Sequence, residues 1–124
     1  MELAIPILPV DDLARAKAFY VDTLGFEMTF EVTTDGHTGV LGVRRGTIAI
    51  TLDCPMSGHG RNACVGLEVA DANRYYDEWR VRTDIPHPPK LEDWGARTFS
   101  LQDPFGNTIF VMGPGGVDPA GYPC

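Results

Sequence analysis

The sequence contains one pattern twice, and this internal repeat constrains the fold more than any other feature. Five residues of the first half are matched 59 positions later by residues of the same or a similar kind: Leu8, Val10, Asp12, Arg15 and Tyr20 correspond to Leu67, Val69, Asp71, Arg74 and Trp79. A second block recurs in the same order, because Gly46-Thr47-Ile48 resembles Asn107-Thr108-Ile109 at an offset of 61. Two amphipathic segments can resemble each other by chance, but five matches at one offset favour a duplicated structural unit.

The first copy has the pattern of a β-α-β-β-β unit. Residues 4–10 are apolar and rich in β-formers, and the prolines within them predict an edge strand or a bulge. Asp11 or Asp12 is the expected N-cap of a helix that ends at Gly25. Three more strands are predicted between turns at Asp35-Gly36 and Arg45-Gly46, over residues 26–33, 38–43 and 47–52.

The second copy follows the same order. We predict a strand over residues 63–69, a helix over 72–81, a Pro-rich loop over 85–89, and strands over 97–102 and 108–112 joined by the turn Asp103-Pro104-Phe105-Gly106. The predicted boundaries are 1–57 for the first βαβββ module, 58–113 for the second, and 114–124 for a loose C-terminal tail. The expected fold class is α+β, with two modules whose apolar sheet faces form a curved mixed sheet around a small-molecule cavity.

Composition excludes several classes of partner. The formal net charge is −7, so nucleic acid is not expected, because phosphate binding requires a basic face. No run of about 18 apolar residues exists and no leader pattern precedes the first strand, so we expect neither a membrane span nor a signal peptide. Three widely spaced cysteines argue against a disulfide framework and favour a reducing, cytoplasmic location.

Several motifs resemble the vicinal-oxygen-chelate superfamily, which contains glyoxalases, bleomycin-resistance proteins and dioxygenases. The resemblance runs from Ile5-Pro6-Ile7-Leu8 through Leu24-Gly25-Phe26 to the turn Asp103-Pro104-Phe105-Gly106-Asn107, which is similar to the D-P-x-G-N turn of the superfamily. Tyr76-Asp77-Glu78-Trp79 and Trp94-Gly95-Ala96-Arg97-Thr98-Phe99 are most similar to the bleomycin-resistance branch. The W-G-R-E-F order of that branch is altered here, and Phe105 replaces the branch's alanine, so the sequence does not identify the drug.

The resemblance also indicates where a metal would bind. Enzymes of the superfamily hold a divalent ion with His and Glu on the first and last strands of each module, and matching motifs place those positions at Ile5, Ala49, Cys64 and Phe110. A first-row divalent ion needs three or four N, O or S ligands, which these side chains do not provide. His37, His59 and His87 have no metal-ligand spacing. We therefore expect no metal site, no cofactor and no catalytic residue, and any metal would arrive bound to the drug.

A pocket without a metal has to bind by apolar area, stacking and a few polar groups. The resemblance places Trp94 and Phe30 at two aromatics that stack on a planar drug. Thr51 and Asp53 could give polar contacts, and an acidic group such as Asp93 near the mouth would suit a cationic tail. The expected ligand-binding residues are therefore Trp94, Phe30, His37, Thr51, Asp53, Phe99, Phe110 and Asp93.

The resemblance implies antibiotic resistance by non-covalent sequestration of a bleomycin-type glycopeptide or a similar planar DNA-damaging natural product. It also implies a domain-swapped or strand-sharing homodimer whose clefts lie at the interface. One alternative is a metal-independent or atypical enzyme of the superfamily, a lyase or isomerase acting on a small metabolite, for which Cys64 is the candidate reactive residue. A third interpretation is a binding or sensor module for an unrelated metabolite.

Overall fold

The computed structural model describes residues 2–54 and 62–115, and within them the chain forms two helices and eight strands. In chain order the elements are β1 (Ile7–Pro9), α1 (Leu13–Lys17) with a π-helical continuation (Ala18–Thr23), β2 (Glu27–Thr33), β3 (Gly39–Arg45), β4 (Ile48–Cys54), β5 (Cys64–Glu68), α2 (Ala72–Trp79), β6 (Lys90–Leu91), β7 (Ala96–Gln102) and β8 (Thr108–Pro114).

The strands form two four-stranded sheets of equivalent topology. The first sheet has the order β1-β4-β3-β2, in which β1 runs parallel to β4 and the other neighbours are antiparallel. The second sheet has the order β5-β8-β7-β6. The α+β class and the two β-α-β-β-β arrangements predicted from the repeat are confirmed.

The chain divides into two compact units. The first contains the residues up to Cys64 together with Asp103–Asn107, and the second contains Val65–Gln102 and the residues from Thr108 onward. The predicted module boundary at 57/58 lies outside the described residues, as do residues 116–124 of the predicted tail, so these boundaries remain predictions.

The repeated aspartates begin both helices. Asp12 Oδ2 accepts a hydrogen bond from Arg15 N at 3.1 Å, and Asp71 Oδ1 accepts from Asn73 N at 3.1 Å. Each carboxyl group satisfies a backbone N–H that has no partner inside the helix. At the other end of the first helix, Gly25 has a φ of 79°, which confirms the predicted C-cap.

Several elements differ from the predicted lengths. The predicted first strand over 4–10 is reduced to three residues, because the prolines in it have no N–H to donate to a neighbouring strand. The second helix was predicted to reach residue 81 but ends at Trp79. The two-residue strand β6 completes the expected β-α-β-β-β order of the second module, but its position was not predicted, since it is too short to give an alternating pattern.

Each helix covers one face of its own sheet, and the strand register separates the two faces. Leu41 and Val43 of β3 pair with Leu52 and Ile50 of β4, and all four side chains are buried on the face toward α1. In the second unit, Phe99 and Leu101 of β7 pair with Val111 and Ile109 of β8 and are buried on the face toward α2. The residues between them lie on the opposite faces, which we call the helix-free faces of the first and second sheets.

Candidate functional site

Three of the predicted ligand-binding residues lie on the helix-free face of the first sheet. The register across β2, β3 and β4 places Phe30 opposite Gly42, and Gly42 opposite Thr51. Asp53 lies two residues further along β4, opposite Val40. Thr51 and Asp53 are half-buried, whereas the Phe30 side chain is 45% exposed. The structure therefore presents an aromatic ring, a hydroxyl and a carboxyl group on one side of this sheet.

The Phe30 ring lies over its cross-strand neighbour. A β-carbon built on Gly42 would stand 2.1 Å from Phe30 Cε1 and 2.4 Å from Cδ1. The register of β2 also shifts between Met28 and Phe30, where the strand contains a bulge. Bulges re-aim the side chains that follow them. Both features direct the ring of Phe30 across the strand β3.

Trp94 occupies a hairpin turn in the second unit. Gly95 N donates to Glu92 O at 3.0 Å and Glu92 N donates to Ala96 O at 2.8 Å, so residues 92–95 form a tight turn between β6 and β7. Gly95 has a φ of 93°, which only glycine adopts without strain. Because the indole projects from this turn, it is 61% exposed. Asp93, next to it in the turn, is also exposed.

A groove of about 480 Å³ begins beside Trp94. Ligand pockets in proteins have volumes of roughly 300–1,000 Å³, so this groove is of the size that takes a drug fragment. Its described lining residues are Glu68, Val69, Trp94, Gly95, Ala96, Met112, Gly113 and Pro114. The lining combines a flexible thioether, an exposed indole and one carboxylate side chain, an arrangement that suits a flat group bearing positive charge.

Phe110 lies on the helix-free face of the second sheet. It pairs with Ser100 across β7 and β8, and its side chain is half-buried. Met112, two residues along the same strand, lies on the same face and lines the groove. This position is compatible with the predicted contact between Phe110 and a ligand, and the contact itself stays a prediction.

Phe99, another predicted ligand-binding residue, lies in the core of the second unit. Phe99 is 4% exposed and packs edge-to-face against Tyr76 and Trp79 on the α2 side of its sheet. Side chains of β7 alternate between the two faces of the sheet, and Phe99 is on the face that α2 covers. Phe99 is therefore a core residue. We therefore leave Phe99 out of the candidate site.

His37 lies beside the start of α1. Its Nδ1 is 2.6 Å from Asp12 Oδ1, and its carbonyl oxygen accepts from Leu13 N at 2.9 Å. Hydrogen bonding to Asp12 raises the pKa of His37, and the same hydrogen bond lowers the pKa of Asp12. This pairing ties the β2–β3 loop to the start of α1, and the expected contact of His37 with a ligand stays a prediction.

Asp35 organises the same loop. Its Oδ1 accepts from the backbone N–H groups of Thr38 at 2.7 Å and His37 at 2.8 Å. These bonds lower the pKa of Asp35 to about 2. The Asp35 carboxylate therefore stabilises the conformation of the β2–β3 loop.

The four positions matched to metal ligands do not fit a metal ion. Ile5 and Cys64 are exposed, and Ala49 and Phe110 are half-buried, but the thiol of Cys64 is the one possible donor among them. Over residues 2–54 and 62–115, no three His, Cys, Asp or Glu side chains are close enough to share an ion. Cys54 is a buried thiol whose pKa is raised by burial and by Asp12, while His59 lies outside the described residues.

Sequence reasoning missed the residues that shape the two surfaces. Gly42 makes room for the Phe30 ring, and Glu68 and Met112 line the groove beside Trp94. Glycine in a strand was a usable signal, since it marks a bulge or a close approach. Glu68 and Met112 carry no such signal, because their position depends on how β5 and β8 end.

None of the helices in the described part of the chain has the length and apolar character needed to cross a membrane.

Comparisons with known proteins agree with this architecture. A bleomycin-binding protein from bleomycin-producing Streptomyces verticillus, solved with copper(II)-bleomycin, is 28% identical, with a TM-score of 0.74 over 91% of this chain and 96% of that chain. A superfamily member from Sphaerobacter thermophilus is 24% identical, with a TM-score of 0.74 over 91% of this chain and 98% of that chain. The antibiotic-binding protein TnmS3 from a Streptomyces species is 22% identical, with a TM-score of 0.74 over 92% and 97% of the two chains.

The likenesses below 25% identity show the fold alone, and none of the curated proteins matches the sequence. The family model described as the Glyoxalase/Bleomycin resistance protein/Dioxygenase superfamily matches residues 3–111. Because that match spans most of the 124 residues, this protein belongs to the Glyoxalase/Bleomycin resistance protein/Dioxygenase superfamily.

Proposed function

We propose that this protein confers antibiotic resistance by binding a bleomycin-type glycopeptide, or a similar planar natural product, without altering it. The observation that carries the proposal is the exposed indole of Trp94 at the rim of the groove. The Trp94 side chain is 61% exposed, and covering its apolar surface with a ligand would contribute favourable free energy to binding. Stacking on a flat group would add about 1 kcal/mol beyond the buried area.

The charge of the molecule supports a cationic ligand. The net charge of −7 attracts cations over distance, and Glu68 lines the groove at short range. Asp53 adds a carboxyl group on the helix-free face of the first sheet. A planar drug with a positively charged tail matches these surfaces better than an anionic metabolite does.

The candidate residues offer binding groups and little that is reactive. Phe30, Trp94, Met112 and Thr51 bind by area, stacking and hydrogen bonding. Cys64 is an exposed thiol on a strand, and among the described residues no three potential metal-ligating side chains surround it. We therefore propose that the protein is a binder and not an enzyme, and that it uses no cofactor or metal of its own.

The name of a similar structure supports the choice of drug class. The Streptomyces verticillus protein, 28% identical to this chain, is named for bleomycin binding and was solved with the copper(II) form of the drug. We extend that property to this protein as a proposal. The homodimer expected from the sequence and the cytoplasmic location belong to the same proposal, and light scattering of the purified protein at several concentrations tests the dimer.

A titration tests the binding function directly. Chelator-treated protein is titrated with metal-free bleomycin and with copper(II)-bleomycin in a calorimeter, and the drug recovered from the complex is weighed by mass spectrometry. We expect submicromolar binding and unchanged drug mass. A modified drug would replace the binding function with an enzymatic one, and absence of binding by both forms would reject the bleomycin class.

The two tryptophans provide the control. Trp79 is fully buried in the core, so Trp94→Phe leaves a fluorophore that a ligand in the groove does not touch. Ligand-dependent fluorescence change should vanish in that variant. Trp94→Ala should weaken binding by about 1–3 kcal/mol, the cost of losing an aromatic anchor. Unchanged affinity of Trp94→Ala would remove the groove from the proposal.

A further inference from the structure

We propose that Gly42 is a positioning residue, which seats the Phe30 ring across β3 and so makes the helix-free face of the first sheet a stacking platform for a planar ligand group. The inference rests on the proposed binding function and adds a residue that neither the sequence motifs nor the comparisons point to.

The ring of Phe30 fills the space above Gly42. The built β-carbon lies 2.1 Å and 2.4 Å from two atoms of the Phe30 ring and 2.6 Å from Thr29 Oγ1. Non-bonded carbon atoms attract at about 3.5–4.0 Å and repel strongly at these shorter distances. The ring therefore occupies the space that any side chain at position 42 needs, and only glycine is compatible with the observed ring position.

The backbone conformation gives no other reason for a glycine at position 42. Gly25, Gly36, Gly39, Gly46, Gly95 and Gly106 have positive φ angles, whereas Gly42 does not. Glycine inside a regular strand is destabilising by roughly 0.5–1 kcal/mol relative to alanine. Glycine at position 42 therefore has a cost in stability. The space that a side chain would take at this position holds the ring of Phe30.

The ring of Phe30 is directed away from the core. Phe30 is 45% exposed although Gly42 beneath it is buried. The bulge between Met28 and Phe30 and the glycine at 42 act on the same side chain. The bulge and the glycine both interrupt the regular sheet, and both hold the same half-exposed ring in place. This indicates that the ring has a function beyond packing.

The neighbours of the ring indicate the ligand chemistry. Thr51 is the partner of Gly42 on β4, on the side away from Phe30, and Asp53 lies two residues further along β4 on the same face. A flat aromatic group stacked on Phe30 can place a hydrogen-bond donor or a cationic substituent on the Thr51 hydroxyl and the Asp53 carboxyl group. The platform therefore suits planar groups that carry N–H donors.

A double-mutant cycle tests the inference. Gly42→Ala, Phe30→Ala and the double variant are titrated with metal-free bleomycin and, separately, with the planar cation proflavine. We expect Gly42→Ala to raise the Kd about tenfold, as the loss of one stacked ring does, and to change it less than about twofold when Phe30 is already alanine. The Thr29 hydroxyl can rotate away from the new methyl group, so the double variant keeps the strand pairing.

Gly66→Ala is the matched control. Gly66 also lies inside a strand without a positive φ, but a β-carbon built on it meets nothing within 4 Å. The Gly66→Ala variant measures the general effect of replacing glycine by alanine in a strand. Thermal unfolding of all variants shows whether a change in Kd comes from a change in stability. In NMR spectra, the ligand's aromatic protons should lose their upfield ring-current shift in Gly42→Ala as they do in Phe30→Ala. A purely structural role of Gly42 would leave that shift in place.

The outcomes separate this inference from the binding function. If bleomycin binds the wild type and neither Phe30→Ala nor Gly42→Ala weakens it, the platform is wrong and sequestration stands. If proflavine alone binds and both variants weaken it, the platform stands and the bleomycin class is wrong. An equal loss of affinity on Gly42→Ala in both backgrounds, or absence of binding by both probes, overturns the role of Gly42.

Discussion

Tyr20 donates its phenolic hydrogen bond to Asp103 Oδ2 at 2.7 Å, although 83 positions separate the two residues. The same carboxyl group accepts from Asn107 Nδ2 and from the backbone N–H groups of Phe105 and Asn107, each at 2.9 Å. Asn107 Nδ2 also donates to Pro9 O at 2.7 Å. The turn motif that contributed to the family resemblance is thus a buried hydrogen-bond network joined to the first helix and strand.

Tyr20→Phe should destabilise the fold. Tyr20 is fully buried and Asp103 is 5% exposed, so removal of the hydroxyl leaves a buried acceptor with one donor fewer. Because Asp103 Oδ2 keeps the hydrogen bond from Asn107 Nδ2, the loss of this one bond costs about 0.5–1.5 kcal/mol. Urea denaturation should show a loss of this size in the free energy of unfolding. A loss no larger than that of an exposed control, such as Thr47→Ala, would mean that water replaces the hydroxyl.

The ion pair of His37 with Asp12 should make stability depend on pH. Asp12 raises the pKa of His37 above its ordinary value of 6.5, so the stabilisation is complete below pH 6.5 and is lost as pH rises through the folded value. His37 lowers the pKa of Asp12 below 3.8, so its stabilisation is present above pH 3.8 and is lost as pH falls through the folded value. The pair therefore contributes most between those two pH values.

An NMR titration of the His37 ring checks this. We expect a pKa above 6.5 in the wild type and a lower one in Asp12→Asn, because the first cause of the shift is the hydrogen bond to Asp12. Asp11→Asn removes a neighbouring charge without removing that hydrogen bond and serves as the control. Equal pKa values in the wild type and in Asp12→Asn would show that the contact is absent in solution.

The repeat and the cap residues predicted the α+β class and the order of the helices and strands, except for the position of β6. Asp12 and Asp71 start the helices where the sequence places them, and alternation assigns most strands to within a few residues. The site was harder to predict, because a side chain's partner depends on register and loop closure. The sequence predicts His37 as a ligand-binding residue but does not show that the β2–β3 loop returns to the start of α1, which places the His37 ring against Asp12.

Phe99→Leu should affect stability and leave binding intact. The ring packs against Trp79 and Tyr76 in the core of the second unit. Removing an entire buried phenylalanine costs about 3–5 kcal/mol, and leucine, which fills part of the space, should cost less than that. Thermal unfolding should show the loss, while calorimetric titration of the folded variant gives the wild-type Kd. A weakened Kd would return Phe99 to the site.

Glu68→Gln should weaken the binding of a cationic drug. Glu68 lines the groove beside Trp94, so its carboxylate acts at short range, whereas the overall charge of −7 acts over distance and is screened by salt. Asp77→Asn changes the net charge by the same single unit, but Asp77 is an exposed residue of α2 that pairs with Arg80.

Calorimetric titrations at low and high salt separate the two contributions. We expect Glu68→Gln to raise the Kd several-fold at both salt concentrations, since a group close to the ligand is screened less. Asp77→Asn should raise it slightly at low salt and not at high salt. Equal effects of the two variants would show that only the net charge attracts the ligand, and that Glu68 makes no contact with it.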